Sequence, residues 1–167
     1  MKTSSFRSGL WTDTASPAPE TRPLTGSHQA DVVVVGGGYT GLSAALHLAE
    51  NGTDVMLLEA EVPGFGASGR NNGQVIPTYT RHNPDDMVRA FGTDQGERLN
   101  RWVSGSADLV FDLIRRHDID CDAVQKGWLQ PAHTESRMAG LRAKHDQWSA
   151  RGASVAMIDR DVMAKLT

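Results

Sequence analysis

The sequence predicts an α/β fold built around a parallel βαβ unit, on three features of residues 30–59. Val32-Val33-Val34-Val35 is a continuous β-branched run ending in glycines, the pattern of a short strand buried on both faces. From about Thr40 to Glu50 the spacing turns helical, with Leu42, Ala45, Leu46 and Ala49 on one face. Asn51-Gly52 closes that helix, because glycine adopts the left-handed C-terminal conformation cheaply, and Asp54–Glu59 (DVMLLE) is a second apolar strand. Two such strands joined by one helix form a right-handed parallel unit.

Around this unit the remaining elements come in order. Residues 1–29 are rich in Ser, Thr and Pro and lack periodicity, which predicts a flexible or surface-hugging lead-in. Trp11 interrupts it; an isolated indole in such a segment either docks on the folded body or stands free, and both readings stay open. Residues 60–73 (AEVPGFGASGRNNG) are too rich in glycine to be anything but a loop. A long helix is expected over 94–117 with Thr93 as N-cap, its apolar stripe running through Leu99, Trp102, Val103, Leu109, Val110, Leu113 and Ile114. A strand is expected over Gly127–His133. A helix capped by Thr134 should then run to about Ala150, buried along Met138, Leu141 and Trp148. Ser154–Ile158 reads as another strand, and Asp159 opens a final helix.

Composition narrows the function. A chain of 167 residues holds one domain with a core. A net charge of −3 offers no footprint for nucleic acid or an anionic membrane surface. No apolar run approaches the ~20 residues that span a bilayer, and the N-terminus has no secretory h-region. Cys121 is the single cysteine, which excludes an internal disulfide and makes a cytoplasmic setting the default. The six histidines are scattered, with no spaced ligand set for a metal.

The segment VVVVGGGYTGLSAAL places Gly36-x-Gly38-x-x-Gly41 between strand and helix. Each glycine answers a separate need: Gly36 permits the tight turn, Gly38 lets backbone approach a pyrophosphate, and Gly41 lets the helix pack close to the strand. The helix N-terminus, from Tyr39 and Thr40 onward, offers unpaired amides and partial positive charge to phosphates. Alone, such a turn can be purely structural. Here Glu59 ends the next strand, where a carboxylate accepts hydrogen bonds from ribose hydroxyls and repels a 2′-phosphate. These conditions together predict a Rossmann-like adenine-dinucleotide site, without separating FAD from NAD.

The stretch ADVVVVGGGYTGLSAALHLAENGTDVMLLEA followed by GFGASGRNNGQ resembles the FAD-dependent oxidoreductases of the D-amino-acid oxidase and glycine oxidase superfamily. Within it the likeness is to gamma-glutamylputrescine oxidoreductases and related amine or amino-acid oxidases, and the WTDTASPAPETRPLTG lead-in shares it. The resemblance runs from about Trp11 to Thr167, is strongest over 30–74, and implies FAD as cofactor and a small amine or amino acid as substrate. It adds the loop residues Ala67, Ser68, Arg70, Asn71 and Gly73 to the cofactor-binding set of Gly36, Gly38, Tyr39, Thr40, Gly41 and Glu59. Closely spaced glycines let amides face a ligand, while Ser68, Arg70 and Asn71 supply donors for phosphate or flavin oxygens. Asn72 stands where many family members have glycine or alanine, and asparagine tolerates the left-handed conformation. The implied organisation is a lead-in at 1–29, the N-terminal part of an FAD-binding domain at 30–126, and the start of an α+β substrate domain at 127–167. Family members are much longer, so the sheet is expected to be incomplete and the chain to need a C-terminal segment or complementing chain.

No catalytic residue is named from the sequence. His82, in TRHNPDD, and His133 read as solvated loop and strand-end residues, and His47 as structural. Trp102, Trp128 and Trp148 read as core or helix–sheet fillers, Cys121 as a packed or surface thiol, and Asp85-Asp86 and Arg115-Arg116 as solvated charge pairs. Three functions compete. An FAD-dependent oxidase of the C–N bond leads, ahead of a non-catalytic dinucleotide-binding fragment. An NAD-dependent dehydrogenase comes last, since the SGRNNG loop and the absence of a second mononucleotide-binding half count against it.

Overall fold

The computed structural model describes residues 10–166 and divides into two compact units. One comprises 10–74 with Asp120–Asp122; the other comprises Val75–Ile119 with 123–166.

The first unit holds α1 (Leu10–Thr14), β1 (Val32–Val35), α2 (Tyr39–Glu50) and β2 (Val55–Leu58). β1 and β2 pair in parallel, Val32 opposite Val55 through Val35 opposite Leu58, and α2 packs on both. This is the expected βαβ unit. The Val32 amide donates to the Asp54 carbonyl and the Gly36 amide to that of Leu58, carrying the pairing one step past each strand end. Helix α2 stops as expected at Asn51-Gly52, where Gly52 has φ +79° and the Thr53 amide returns to the Leu48 carbonyl.

Burial of β1 departs from expectation. Val32 and Val34 lie half-buried on the α2 side, but Val33 is 53 % and Val35 82 % exposed. Side chains of a strand alternate between faces, and in β1 only the alternate set is half-buried, whereas all four residues of β2 are. Leu42, placed on the buried stripe of α2, is likewise exposed.

The second unit is helical: α3 (Pro84–Arg116), α4 (Glu135–Ser149) and α5 (Arg160–Leu166). Helix α3 begins ten residues before the expected start. Asn83-Pro84-Asp85-Asp86 supplies the signal: the Asp86 carboxylate accepts the Asn83 amide, and Pro84 occupies the first turn, where its missing N–H costs nothing. A kink at Gly92 (φ 77°, ψ 167°) separates this first arm from the second, so the break falls beside Thr93, where the helix was expected to open. Thr134 caps α4 by accepting the Arg137 amide, and Asp159 accepts the Val162 amide at the start of α5. The strands expected over Gly127–His133 and Ser154–Ile158 are absent. An extended segment becomes a strand only by sharing its backbone groups with a neighbour, and no strand of this unit is available among the described residues.

The core of the second unit is small and partly polar. Trp148 is 3 % exposed, stacks on Tyr79 (centroids 5.8 Å apart, planes at 21°) and donates its indole N–H to Thr78 Oγ1. Asn100, 1 % exposed, accepts from the Tyr79 hydroxyl and donates to the Pro84 carbonyl. Arg151 pairs in a two-pronged contact with Glu97 (2.9 and 2.8 Å) and also with Asp85 at 2.7 Å. The Glu97 hydrogen bonds hold the guanidinium further above its ordinary range, and the same bonds hold Glu97 below the usual carboxylate range. Asp85 and Asp86 are therefore structural, one pairing with Arg151 and the other capping α3 and pairing with Arg89. Arg115 likewise pairs with Asp112. Trp102 and Trp128 are not core fillers: Trp102 is 61 % exposed under the Arg98 guanidinium, and Trp128 is 38 % exposed. Leu109 and Val110 of the α3 stripe are exposed too.

Gly96 backs onto the first arm of α3, and a Cβ there would lie 2.5 Å from Val88 Cα. Gly96→Ala gains about 1 kcal/mol of helix propensity but meets an overpacking cost of about 1–3 kcal/mol against backbone. The net expectation in urea denaturation is a loss. Gly105→Ala and Gly140→Ala, with open space at both helical positions, are expected to gain about 0.5–1 kcal/mol. A stabilised Gly96 variant would show that the α3 arms do not meet there.

Candidate functional site

The first unit brings the glycine turn, Glu59 and the 60–73 loop into one hydrogen-bonded assembly. β1 leads directly into Gly36, at φ +105°, a conformation that favours glycine. Gly37 is buried; its amide donates to Glu59 Oε2 at 2.6 Å and its carbonyl accepts the Gly64 amide at 2.8 Å. Gly38 is the N-cap of α2, and a Cβ there would come within 2.9 Å of Ser68 Oγ. That hydroxyl accepts the Tyr39 amide at 2.9 Å. A Cβ on Gly41 would overlap the Gly36 carbonyl oxygen and press on Val34, so helix and strand meet at backbone distance.

The loop has order of its own. Ala67–Gly69 forms a 3-10 turn closed by the Arg70 amide on the Ala67 carbonyl, and the Gly69 amide reaches back to the Gly64 carbonyl. Asn71 ties the turn to the rest of the loop: its amide group donates to Tyr39 Oη (3.1 Å) and to the Ser68 carbonyl (2.6 Å), while its side-chain oxygen accepts the Gly73 amide (2.7 Å). Arg70 lies over the Phe65 ring, 4.9 Å from its centroid. Asn72 is not left-handed; Gly73 takes that role at φ +73°, and Asn72 pairs with Gln74. A glycine immediately after it makes the asparagine's tolerance unnecessary.

The electrostatics suit a polyhydroxylated anion. Helix α2 presents its N-terminus at Tyr39, and the amides of Thr40 and Gly41 have no acceptor among the described residues. The Gly37 and Glu61 amides, both donating to Glu59, hold its carboxyl below the usual carboxylate range. An ionised carboxylate has about four acceptor positions, so two accepted amides leave capacity for ligand hydroxyls. A ribose, a phosphate and a cradle free of Cβ atoms are thus each provided for, and the residues fit the adenine half of a dinucleotide.

The match to known proteins decides the family. Residues 31–167 match the model of the FAD dependent oxidoreductases. The chain belongs to that family. Its cofactor is FAD. The chain is 43% identical over 129 residues to the gamma-glutamylputrescine oxidoreductase of Escherichia coli K12, an overlap covering 77% of this chain and 30% of that protein. It is 38% identical over 127 residues to the probable oxidoreductase OrdL of Rhizobium meliloti, covering 75% and 29%. To the flavin-containing amine oxidase A of Canis lupus familiaris it is 42% identical over 89 residues, covering 53% and 15%. The chain therefore spans less than a third of the length of these relatives. No solved structure matches it significantly.

Sequence reasoning missed Gly37, whose buried amide meets Glu59, and the pair Gly64 and Gly69, where a Cβ on the second would overlap the first. The middle position of a glycine triplet carries no signal of its own. In the second unit, His82 and His133 stand on one open cleft of about 400 Å³, together with Arg81, Arg137 and Lys144. Among the described residues no helix is long and apolar enough to cross a membrane, and no group of three His, Cys, Asp or Glu is placed to hold a metal ion.

The Glu59 contact carries a pH signature. The folded-state pKa lies below the unfolded one, so its stabilisation is complete above the ordinary carboxylate range and is lost as pH falls through the lowered folded value. In urea titrations across acid pH, the wild type is expected to start above Glu59→Gln and converge with it at the acid end. A constant offset at every pH would show that the carboxylate charge does not hold the turn.

Proposed function

We propose that this chain contributes the adenine-side FAD site of an oxidoreductase that oxidises the C–N bond of an amine or amino acid of the gamma-glutamylputrescine or D-amino-acid type. The observation that carries the reading is the joining of glycine turn, strand-end carboxylate and second loop: Gly37 to Glu59 at 2.6 Å and Tyr39 to Ser68 at 2.9 Å. The identity to a gamma-glutamylputrescine oxidoreductase supports the substrate class.

In this reading Gly36, Gly38 and Gly41 shape the phosphate turn, and the Tyr39–Gly41 end of α2 faces the diphosphate. Glu59, kept ionised by its amides, accepts the ribose hydroxyls. Ser68, Arg70 and Asn71 provide donors, and Ala67 and Gly73 keep the loop backbone uncluttered. FAD, when bound, supplies the hydride acceptor. We assign 30–126 to the FAD-binding domain and 127–167 to the start of a substrate domain. A cytoplasmic setting is proposed with these, on the single cysteine.

The open face of β1, with Val35 82 % exposed, favours a second reading. In it the chain binds the ADP half, and catalysis requires further polypeptide to cover that face and build the amine pocket. The relatives have the length to supply it.

Two measurements test these readings. Gly38→Val is expected to abolish binding of both FAD and ADP in calorimetry, because its branched side chain occupies the space between the turn and Ser68. Wild-type affinity in that variant would reduce the turn to a structural element. Anaerobic addition of gamma-glutamylputrescine, other amines or D-amino acids to FAD-loaded protein is expected to bleach the flavin absorbance if the oxidase is complete. Tight FAD binding with no bleaching by any of them supports the second reading.

A further inference from the structure

We propose that Trp11 is a positioning residue, a clasp from the N-terminal lead-in that holds the Ser68–Gly73 loop in its cofactor-ready form; this rests on the FAD-site reading above. The sequence leaves open whether Trp11 docks or stands free; in the structure its indole N–H donates to the Asn71 carbonyl at 2.7 Å, across sixty residues of chain. The ring also lies against Gly73, where a Cβ would come within 2.6 Å of Cζ2 and 2.8 Å of Cη2. With φ at +73°, Gly73 is therefore glycine for two reasons, a left-handed backbone and an aromatic ring at van der Waals distance. Trp11 is presented by α1, whose end is closed by the Ala15 amide on the Trp11 carbonyl and the Thr14 hydroxyl on the Leu10 carbonyl.

The residue it grips is the organiser of the loop. Asn71 links to Tyr39 Oη and to the Ser68 carbonyl, and Ser68 Oγ holds the Tyr39 amide at the N-terminus of α2. The clasp therefore acts on the loop, through the Asn71 backbone. Trp11 remains 43 % exposed, so its ring is not a core filler. An indole combines a flat apolar face with one donor, which suits a latch that must both cover a glycine and fix one carbonyl.

Trypsin reads the clasp in the full-length chain. Arg70 is exposed and immediately precedes the residue whose carbonyl Trp11 binds. Cleavage after Arg70 tracks the population of open loop. Trp11→Ala is expected to raise its rate about fivefold to tenfold, the scale of one lost hydrogen bond with its packing. Calorimetry on the same variant is expected to show FAD affinity lowered by about the same factor, with ADP affinity within about twofold of wild type, since ADP depends on the glycine turn and Glu59. Trp11→Phe, which keeps a ring but loses the donor, should fall between. If Trp11→Ala does not fold, Gly73→Ala displaces the ring from the other side and should reproduce the Arg70 result. Unaltered cleavage after Arg70 would overturn the clasp. Faster cleavage with unaltered FAD affinity would overturn its role toward the cofactor. A wild-type chain that binds neither FAD nor ADP, yet depends on Trp11 for protection at Arg70, supports the clasp and overturns the FAD reading of the site.

Discussion

The hydrogen bond from the buried Gly37 amide to the Glu59 carboxylate, at 2.6 Å, is the contact on which the first unit depends. It ties the exit of one strand to the end of the next and so sets the spacing of the turn between them. Without it the amide of Gly37 would be buried and unsatisfied, a cost of about 1–3 kcal/mol. The same residue passes the constraint onward, because its carbonyl accepts the Gly64 amide and anchors the second loop. Glu59 therefore has two tasks that agree. It shapes the glycine turn, and the amides it accepts keep it charged, as the proposed ribose contact requires.

The second unit is held together differently. Its centre is a buried asparagine, not an aliphatic cluster: Asn100 joins Tyr79 to the start of α3, and Tyr79 carries Trp148 from α4. Arg151 then binds both arms of α3 through Asp85 and Glu97. Such a polar centre is directional, so it specifies one arrangement where greasy packing would allow several. It also leaves little room for error, since each member removed strands a partner.

Membership of the FAD dependent oxidoreductase family gives the first unit a purpose, and the geometry gives that purpose local detail. The glycine turn and the serine-asparagine loop are not two separate motifs. Ser68 stands where a side chain on Gly38 would have to go, and its hydroxyl takes the first amide of α2. The absent side chain at Gly38 makes way for the second loop, so the two segments constrain each other's sequence.

The sequence by itself determined the βαβ unit, the end of α2 at Asn51-Gly52, the cap at Thr134 and the family. All of these rest on neighbours in the chain: turn chemistry, capping side chains and periodicity are local, and local preferences are written locally. Tertiary structure alone decided the rest. Valine alternation in β1 could not reveal that Val33 and Val35 lack a cover, because burial belongs to whatever packs opposite. The segments at 127–133 and 154–158 read as strands, but among the described residues no strand pairs with them. Asp85, at first sight a solvated charge, became an ion pair only when Arg151 arrived from sixty-six residues away. The indole of Trp11 found Gly73 in the same way. Contacts across such distances depend on where the backbone brings two segments together, and no spacing within either segment records that.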